Sequence, residues 1–343
     1  MQQKDLAIIA SPLIKWYRQN KRPLPWRQDR EPYHVWISEI MLQQTRIEAV
    51  IGYYSRFMQA LPTVQTLSEI PEEQLLKLWE GLGYYSRARN LKKAAEMIMT
   101  EYGGAFPDTY EKLRRLPGIG DYTAGAIASI CFNEPVPAVD GNVLRVLSRL
   151  TGSRKNVLLP ETKKEATAVL TRMMPPEAGD FNEGLMELGE TRCLPNGAPL
   201  CSDCPLQEYC TAYRKNLTEE LPVRIKTVKR KKEEKTVLLL RAPDGATALE
   251  KRENKGLLAG LYQLPNVNGY LTDEEIIEQL AEWGLAAKSI TPLGDAKHVF
   301  THIDWMVKGY EITVSEKSDR FLWATPQELA QQYALPTAFQ KFL

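Results

Sequence analysis

The sequence lacks any apolar run that approaches the ~18 residues a membrane-spanning helix needs. It also lacks the order of charge, apolar core and cleavage site that marks a secretory signal peptide. Residues 4–21 predict an amphipathic helix instead. Both absences argue against a membrane partner, and we therefore expect a cytoplasmic protein.

Neither sign of charge is in excess. The 44 Lys and Arg residues nearly match the 43 Asp and Glu residues, which leaves a net charge of +1. A strongly basic total would indicate nucleic-acid binding, so any such surface here must be a local patch. The 343 residues, 43% of them hydrophobic, are enough for two domains with separate cores.

Cysteine is scarce, with five residues in the chain. That number argues against a disulfide framework in a protein expected to be cytoplasmic. Cys131 lies in an apolar helical stretch and is predicted to be buried. The other four lie close enough in sequence for their soft thiolates to surround one metal centre: Cys193, Cys201, Cys204 and Cys210. Their uneven spacing fits a zinc ribbon poorly, although zinc and iron–sulfur both remain open.

Patterns up to residue 215 are helical. Apolar residues recur at helical spacing over 31–58, with polar interruptions, and 61–99 predicts two or three more helices. Two further helices are predicted over 160–191. Because no convincing β-hairpin signal occurs in this part, we expect a nearly all-helical domain over 1–215.

The composition and periodicity of the sequence change after residue 215. Residues 216–235 have no apolar periodicity and are dense in charge, which predicts a linker. Beyond them, residues 273–285 have a helical pattern, and three segments have strand patterns: 236–243, 260–267 and 305–314. Together they predict a smaller α+β domain over 236–343.

Gly118 and Gly120 predict a tight turn that opens into a helix of small residues. Glycine tolerates positive φ, so such a turn can bring its amides against a partner. The helix start adds unpaired N–H groups and a partial positive charge, which suit a phosphate. Asp140 follows between an apolar run and another helical stretch. Together they resemble the helix-hairpin-helix plus aspartate signature of the endonuclease III-like DNA glycosylase superfamily.

Two further stretches combine residue types that suit chemistry on DNA. Glu39 lies beside Trp36 and Ile40, where an unpaired buried carboxylate is costly, so composition alone favours a solvent-exposed Glu. Residues 81–90, GLGYYSRARN, join Gly, Tyr and Arg at a helix start. That mixture suits phosphate contact and base stacking, with a packed surface loop as an equal alternative.

Six motifs occur in the order found in the adenine DNA glycosylases of the MutY family: LPWR, WISEIMLQQT, GLGYYSRARNL, LPGIGDYTAGAI, AVDGNVLRVLSRL and MELG-x3-C. The chain resembles that family over roughly residues 20–215. The resemblance implies an enzyme with a mainly α N-terminal domain that hydrolytically removes adenine mispaired with 8-oxoguanine or guanine in double-stranded DNA. We expect it to act as a monomer, associated with DNA in the nucleoid. The resemblance also implies one [4Fe–4S] cluster on the four cysteines, whose first gap is one residue longer than the family's.

The resemblance assigns roles to named residues. Glu39 is the general acid that protonates adenine N7, Asp140 stabilises the oxocarbenium-like sugar, and Tyr122 and Asn142 position them. Desolvation would raise the pKa of Glu39, whereas backbone donors at Gly141 and Asn142 favour an ionised Asp140. Trp26 and Arg27 match the adenine pocket. DNA-binding positions, with Gln44 and Tyr84 as wedges, are Gln43, Gln44, Thr45, Leu82, Tyr84, Arg87, Gly118 and Gly120.

Residues from about 230 to 343 resemble the Nudix-like domain of the same family. The segment 271–285 lacks the R-E-hydrophobic-x-E-E order that holds a divalent metal, so we expect recognition without hydrolysis. Phe300, Thr301 and His302 resemble the F-S-H loop that inspects 8-oxoguanine, with Thr in place of Ser. Ordinary surface or packing histidines are the alternative for His298 and His302.

Three other functions stay open. Endonuclease III excises oxidised pyrimidines and cuts the strand through a Lys amine. Here Tyr122 occupies that Lys position, and no Lys occurs between Lys112 and Arg149. A non-catalytic mismatch-binding protein would not need Glu39 and Asp140 together, and a nucleotide hydrolase would need an intact Nudix helix.

Overall fold

The computed structural model describes residues 7–225 and 230–343. They form two compact units. The helical unit comprises residues 7–69 and 90–225, and the sheet unit comprises residues 70–89 and 230–343. None of the described helices is long and apolar enough to cross a membrane.

Helices dominate the first part of the chain. In order, the described helices are α1 (Ala10–Asn20), α2 (Pro32–Leu42), α3 (Ile47–Ala60), α4 (Val64–Glu69), α5 (Glu72–Leu78), α6 (Ser86–Glu101), α7 (Tyr110–Leu113), α8 (Asp121–Phe132), α9 (Gly141–Thr151), α10 (Pro160–Thr171), α11 (Ala178–Thr191), α12 (Thr211–Arg214), α13 (Asp273–Glu282), α14 (Pro326–Gln331) and α15 (Thr337–Gln340). Single 3-10 turns cover Pro25–Arg27, Cys201–Asp203 and Gln207–Tyr209.

Helix α2 is buried on nearly all sides. Pro32 occupies its first turn, where an N–H has no partner within the helix in any case. Eight of its eleven residues are buried, and it packs against α3 and α8. The helix ends before Gln44, whose φ of +61° cannot continue a right-handed helix. The helical pattern over 31–58 is therefore two helices, α2 and α3.

The predicted glycine turn lies between α7 and α8. Gly118 has a φ of +78°, and a Cβ there would lie 2.6 Å from the Cβ of Asn90, so both the backbone and the space require Gly. Gly120, the N-cap residue of α8, has an extended backbone with φ of −90°. Only Gly118 thus adopts the positive φ expected of both. A Cβ at Gly120 would meet no atom within 4 Å, which leaves that side of the turn open.

Seven strands form the sheet of the sheet unit: β1 (Lys231–Arg241), β2 (Thr247–Lys251), β3 (Tyr262–Gln263), β4 (Asn266–Asn268), β5 (Ala287–Val299), β6 (Ile303–Val314) and β7 (Leu322–Ala324). Their order is β3-β2-β1-β6-β5, with β4 beside β1 and β7 beside β2. Strands β1 and β6 pair in parallel, and the other pairs are antiparallel. A helical unit followed by a mixed sheet with helices confirms the predicted fold class.

Strand β1 explains how the sheet is covered. Val237 and Leu239 pack in one core with Phe339 of α15, whereas Leu238 and Leu240 pack in another with side chains of α13. A strand buried on both faces is a continuous apolar run, as TVLLL is here. Residues 231–235 of the segment predicted as linker belong to this strand and pair with β6. Residues 226–229 lie outside the described residues.

Residues 70–89 belong to the sheet unit although they precede β1 by more than a hundred residues. Lys77 Nζ donates to the carbonyl oxygens of Leu329 and Tyr333 at 3.1 and 3.0 Å. The backbone N–H of Leu335 donates to Glu80 Oε1 at 2.7 Å. Helix α5 and the following loop therefore pack against the C-terminal residues of the chain.

Candidate active site

Eleven of the residues predicted from the sequence line one cleft of the helical unit, with a volume of ≈ 1120 Å³: Trp26, Arg27, Glu39, Gln43, Gln44, Thr45, Gly118, Gly120, Tyr122, Asp140 and Asn142. They come from the 3-10 turn before α2, from α2 and its end, and from the starts of α8 and α9. The fold thus gathers residues more than a hundred positions apart around one space.

Glu39 is a buried carboxyl group at the bottom of this cleft. The residue is 7% exposed, and among the described residues its Oε2 has no hydrogen-bond partner. Burial raises its pKa to about 7, a hydrogen bond with Tyr122 opposes the rise, and the charges of Asp140 and Glu183 add to it. Near neutral pH, Glu39 can therefore hold a proton, and the residue lines a cleft large enough for a ligand.

Tyr122 stands on the first turn of α8, beside Glu39. Its hydroxyl oxygen lies 3.1 Å from the sulfur of Met186 and is also a hydrogen-bond partner of Glu39. Burial, together with the nearby charges of Glu39 and Asp140, holds its pKa well above the ordinary value. The side chain therefore remains a neutral hydroxyl that can hydrogen-bond the carboxyl group without competing for its proton.

Asp140 is the N-cap residue of α9. Its Oδ1 accepts the Val143 backbone N–H at 2.7 Å, and its Oδ2 accepts from Asn142 Nδ2 at 2.9 Å. Burial raises the pKa of Asp140, while these two hydrogen bonds and the Arg145 charge oppose the rise. The expectation of backbone donors at Gly141 and Asn142 is thus wrong in detail. The donors are one residue further along and on the Asn142 side chain, and burial outweighs them.

Acidic residues of α11 complete the side of the cleft next to the predicted adenine pocket. Glu187 is fully buried and pairs with Arg22 at 2.7 Å and with Arg27 at 2.9 Å. Glu183 lies 3.5 Å from the Arg27 guanidinium. Trp26 packs edge-on against Tyr54. Sequence reasoning missed Glu183 and Glu187, whose only signal was two acids within the mostly apolar segment FNEGLMELG.

The other predicted DNA-binding residues lie in the sheet unit. Tyr84 has a φ of +47° and is 48% exposed, and its hydroxyl lies 3.2 Å from Thr301 Oγ1. Leu82 and Arg87 are buried. The Arg87 guanidinium donates to the carbonyl oxygens of Leu82 and Gly83 at 3.0 and 3.2 Å. Arg87 is therefore buried and shapes the turn that carries Tyr84, and its predicted contact with DNA stays a prediction.

The predicted lesion-recognition residues form the tip of the hairpin between β5 and β6. Phe300 is half-buried, with its ring 4.8 Å from that of Trp305 and 4.6 Å from that of His298. Thr301 and His302 are exposed. Burial lowers the pKa of His298, which keeps this ring neutral. Phe300 and His298 thus anchor the tip, whereas Thr301 and His302 are open to solvent.

Four of the five cysteines gather after α11. Burial raises the pKa of Cys204 to about 12, and the charges of Cys193, Cys201 and Cys210 add to the rise, so these thiols are neighbours. In the described residues, no three His, Cys, Asp or Glu side chains are arranged to hold a metal ion. Arg149 Nη1 donates to Cys193 Sγ at 3.2 Å. The four thiols are the type of donor that an anionic metal–sulfur centre uses, and the Arg149 guanidinium beside Cys193 suits its negative charge, although the thiols are not arranged around one point here.

Comparison with known proteins gives matches to both parts of the chain. The model of the HhH-GPD superfamily of base excision DNA repair proteins matches residues 37–176, and that of the NUDIX domain matches residues 236–343. The adenine DNA glycosylase of Rattus norvegicus is 34% identical over 98% of this chain and 77% of its own. The adenine DNA glycosylase of Buchnera aphidicola subsp. Baizongia pistaciae is 32% identical, and the match covers 98% of this chain and 96% of the Buchnera protein. A solved thermostable thymine-DNA glycosylase has a TM-score of 0.55 and 28% identity, covering 61% of this chain and 96% of its own.

Proposed function

The chain belongs to the adenine DNA glycosylases, and from that premise we propose that it excises adenine paired with 8-oxoguanine or guanine in duplex DNA. A single copy of the chain carries out the reaction, which is hydrolysis of the N-glycosidic bond. The observation that supports this function best is the pair Glu39 and Asp140. Both carboxyl groups line one cleft, and the first is buried with a free oxygen and a pKa of about 7.

Protonation of the base is the first task of the site. Adenine leaves poorly as an anion, so Glu39 donates its proton to N7 as the C–N bond lengthens. Asp140, ionised, then faces the positive charge that develops on the sugar. A water molecule from solvent adds to the same sugar carbon and loses a proton, which returns to the Glu39 carboxylate and completes the hydrolysis. The Tyr122 hydroxyl and the Asn142 amide hold these carboxyl groups through the contacts described above. Trp26 and Arg27 hold the extruded adenine.

Extrusion of the adenine from the DNA duplex needs groups that bind the DNA backbone and groups that fill the space left in the base stack. The open amides at the start of α8 suit a phosphate, and Gly120 leaves room for it. Gln44 and Tyr84 act as the wedges. Both have positive φ without being Gly, and such strain persists at functional positions where the surroundings hold it in place.

Inspection of the opposite base belongs to the tip of the β5–β6 hairpin. The Thr301 hydroxyl and the His302 ring are exposed there and can hydrogen-bond 8-oxoguanine. Thr keeps the hydroxyl of the family's Ser. The contact between Thr301 and Tyr84 supports a shared role of the two side chains at the lesion.

One [4Fe–4S] cluster is proposed on Cys193, Cys201, Cys204 and Cys210. The cluster would supply structural cross-linking of residues 193–210, since glycosidic hydrolysis transfers no electrons. Arg145 links this segment to the reaction centre, because it donates to the Cys193 carbonyl oxygen and to Asn142 Oδ1, each at 2.7 Å.

A strand-cutting lyase is the second candidate function, and one observation supports it. Lys163 of α10 lines the cleft, and its amine could attack the sugar carbon to form a Schiff base. Tyr122 occupies the position at which the endonuclease III family carries its Lys. We therefore expect hydrolysis without efficient strand cleavage.

The test is a panel of duplexes that contain 8-oxoguanine:A, G:A, 8-oxoguanine:C or thymine glycol:A, incubated with the protein and scored with and without alkali. The proposal predicts breaks in the A strand of the first two duplexes only after alkali. Breaks without alkali would favour the lyase and point to Lys163. Cutting at thymine glycol would contradict adenine specificity.

A further inference from the structure

Glu190, on the last turn of α11, touches the reaction centre through Asn142. Its Oε1 accepts a hydrogen bond from Asn142 Nδ2 at 2.7 Å. The same amide nitrogen donates to Asp140 Oδ2 at 2.9 Å, and Asn142 Oδ1 accepts from Arg145 Nη2 at 2.7 Å. Both hydrogens and the oxygen of this amide are therefore engaged, and two of its three partners are carboxylates.

The approach of α11 to Asn142 is built into the backbone. Gly189 precedes Glu190, and a Cβ at Gly189 would lie 2.6 Å from the Asn142 Cβ, closer than real Cβ atoms pack. Glycine thus lets the two helices come close enough for the Glu190 carboxylate to reach the amide. Glu190 also lines the same cleft as Asp140, and its side chain is exposed to solvent there.

We propose that Glu190 is a positioning residue for adenine excision: its carboxylate orients the Asn142 amide toward Asp140 and adds a second negative charge beside the sugar cation. This role rests on the proposed function, because it acts through Asp140. A carboxylate close to a developing positive charge stabilises it, and the effect survives partial exposure to solvent.

The charges around Asp140 set how this role can be measured. Arg145 of α9 is the cation in its surroundings, Glu190 of α11 is a neighbouring anion, and Glu39 of α2 and the neutral Tyr122 of α8 stand nearby. The Glu190 charge raises the pKa of Asp140, on top of the larger effect of burial. Because Asp140 must be ionised to act, Glu190 places the acidic limb of the pH–rate profile at higher pH than burial alone would.

The experiment measures single-turnover excision of adenine opposite 8-oxoguanine between pH 5 and 9. Glu190→Gln keeps an acceptor for the amide and removes the charge, whereas Glu190→Ala removes both. We expect the acidic limb of Glu190→Gln to move to lower pH and its plateau rate to fall about three- to tenfold. Glu190→Ala should show the same shift of the limb with a larger loss of rate.

Glu48→Gln is the matched control, since Glu48 is an exposed carboxylate that lines the same cleft without a contact to Asp140 or Asn142 in the described residues. Its profile should superimpose on wild type. An acidic limb of Glu190→Gln that stays at the wild-type pH would overturn the proposal, whatever the plateau. Absence of excision by wild type, or full activity of Asp140→Asn, would instead refute the proposed function.

Discussion

The burial that suits Glu39 to the proposed role of general acid also lowers the stability of the folded protein. A carboxyl group that is buried and incompletely hydrogen-bonded is neutral more readily than in water, which is what a general acid at neutral pH requires. The same burial makes its charged form unfavourable in the folded protein. Function and stability therefore oppose each other at this residue, and the opposition depends on pH.

Glu39→Gln should make the protein more stable at alkaline pH. The pKa rises from 4.5 to about 7 on folding, so the folded state holds the proton more tightly and wild type loses stability as pH increases through this range. The variant should gain about 3 kcal/mol in the free energy of unfolding at pH 8, and less than about 1 kcal/mol at pH 5. Urea denaturation at both pH values measures this. An equal gain at the two pH values would contradict the account.

Glu187→Gln should destabilise the fold by about 3 kcal/mol, because Arg22 and Arg27 would lose their shared buried partner. Asp180→Asn is the control. Asp180 pairs with Arg18 and Arg30, whose side chains are about half exposed, so we expect a loss below about 1 kcal/mol. Thermal unfolding measures the loss of stability of each variant relative to wild type. Equal losses would show that the burial of Glu187 has no energetic consequence.

The site could be predicted from the sequence only in part. Glu39, Tyr122 and Asp140 stand in motifs whose order is informative, and they line one cleft. Glu183 and Glu187 escaped notice, because a carboxylate in an apolar helix looks the same in sequence whether it faces solvent or a buried Arg. Only the packing of α11 distinguishes these cases.

Among the helices and strands, buried elements could be predicted from the sequence more readily than exposed ones. Strand β1, with its continuous apolar run, was visible in the sequence because both of its faces are covered. Strand β5 was not, because it lies at the end of the sheet, is largely exposed, and contains Pro292 and Gly294. The break between α2 and α3 depends on the left-handed conformation of Gln44, which the residue type does not specify.

The glycine turn before α8 offers a matched pair of substitutions. Gly118→Ala should destabilise the helical unit by about 1–3 kcal/mol, because of its positive φ and the contact with Asn90. Gly120→Ala should leave stability nearly unchanged, since its backbone is extended and its surroundings are open. Melting temperatures together with affinity for an 8-oxoguanine:A duplex test this pair. Gly120→Ala should weaken DNA binding without changing the melting temperature. Equal stability of the two variants would contradict the difference in backbone conformation and packing between Gly118 and Gly120.

At the scale of the whole molecule, residues 70–89 depend on the C-terminal part of the chain. They contribute to the sheet unit through Lys77 and Glu80, and they present Tyr84 next to Thr301. Tyr84, one of the two proposed wedges, and the tip of the β5–β6 hairpin therefore belong to one compact unit. The sequence could not predict this association, because it joins segments separated by more than a hundred residues.

A chain that ends at residue 225 should lose protection of residues 70–89. Lys77 and Glu80 would lose their partners near residues 329–335, and α5 would expose its buried face. Limited proteolysis with trypsin should cleave the truncated chain within 70–89 several-fold faster than the full chain, while cleavage after the buried Arg145 and Arg149 of α9 stays slow. Equal cleavage rates would mean that this segment is held without the C-terminal residues.

The single-turnover rate of adenine release from an 8-oxoguanine:A duplex tests the proposed roles of the two carboxyl groups. It is measured for wild type, Glu39→Gln and Asp140→Asn, together with duplex affinity. We expect each substitution to lower the rate by about a thousandfold or more while affinity changes by less than about tenfold. Rates within tenfold of wild type for Glu39→Gln would contradict proton donation by Glu39, and with it the reading of the cleft as an adenine-excising site.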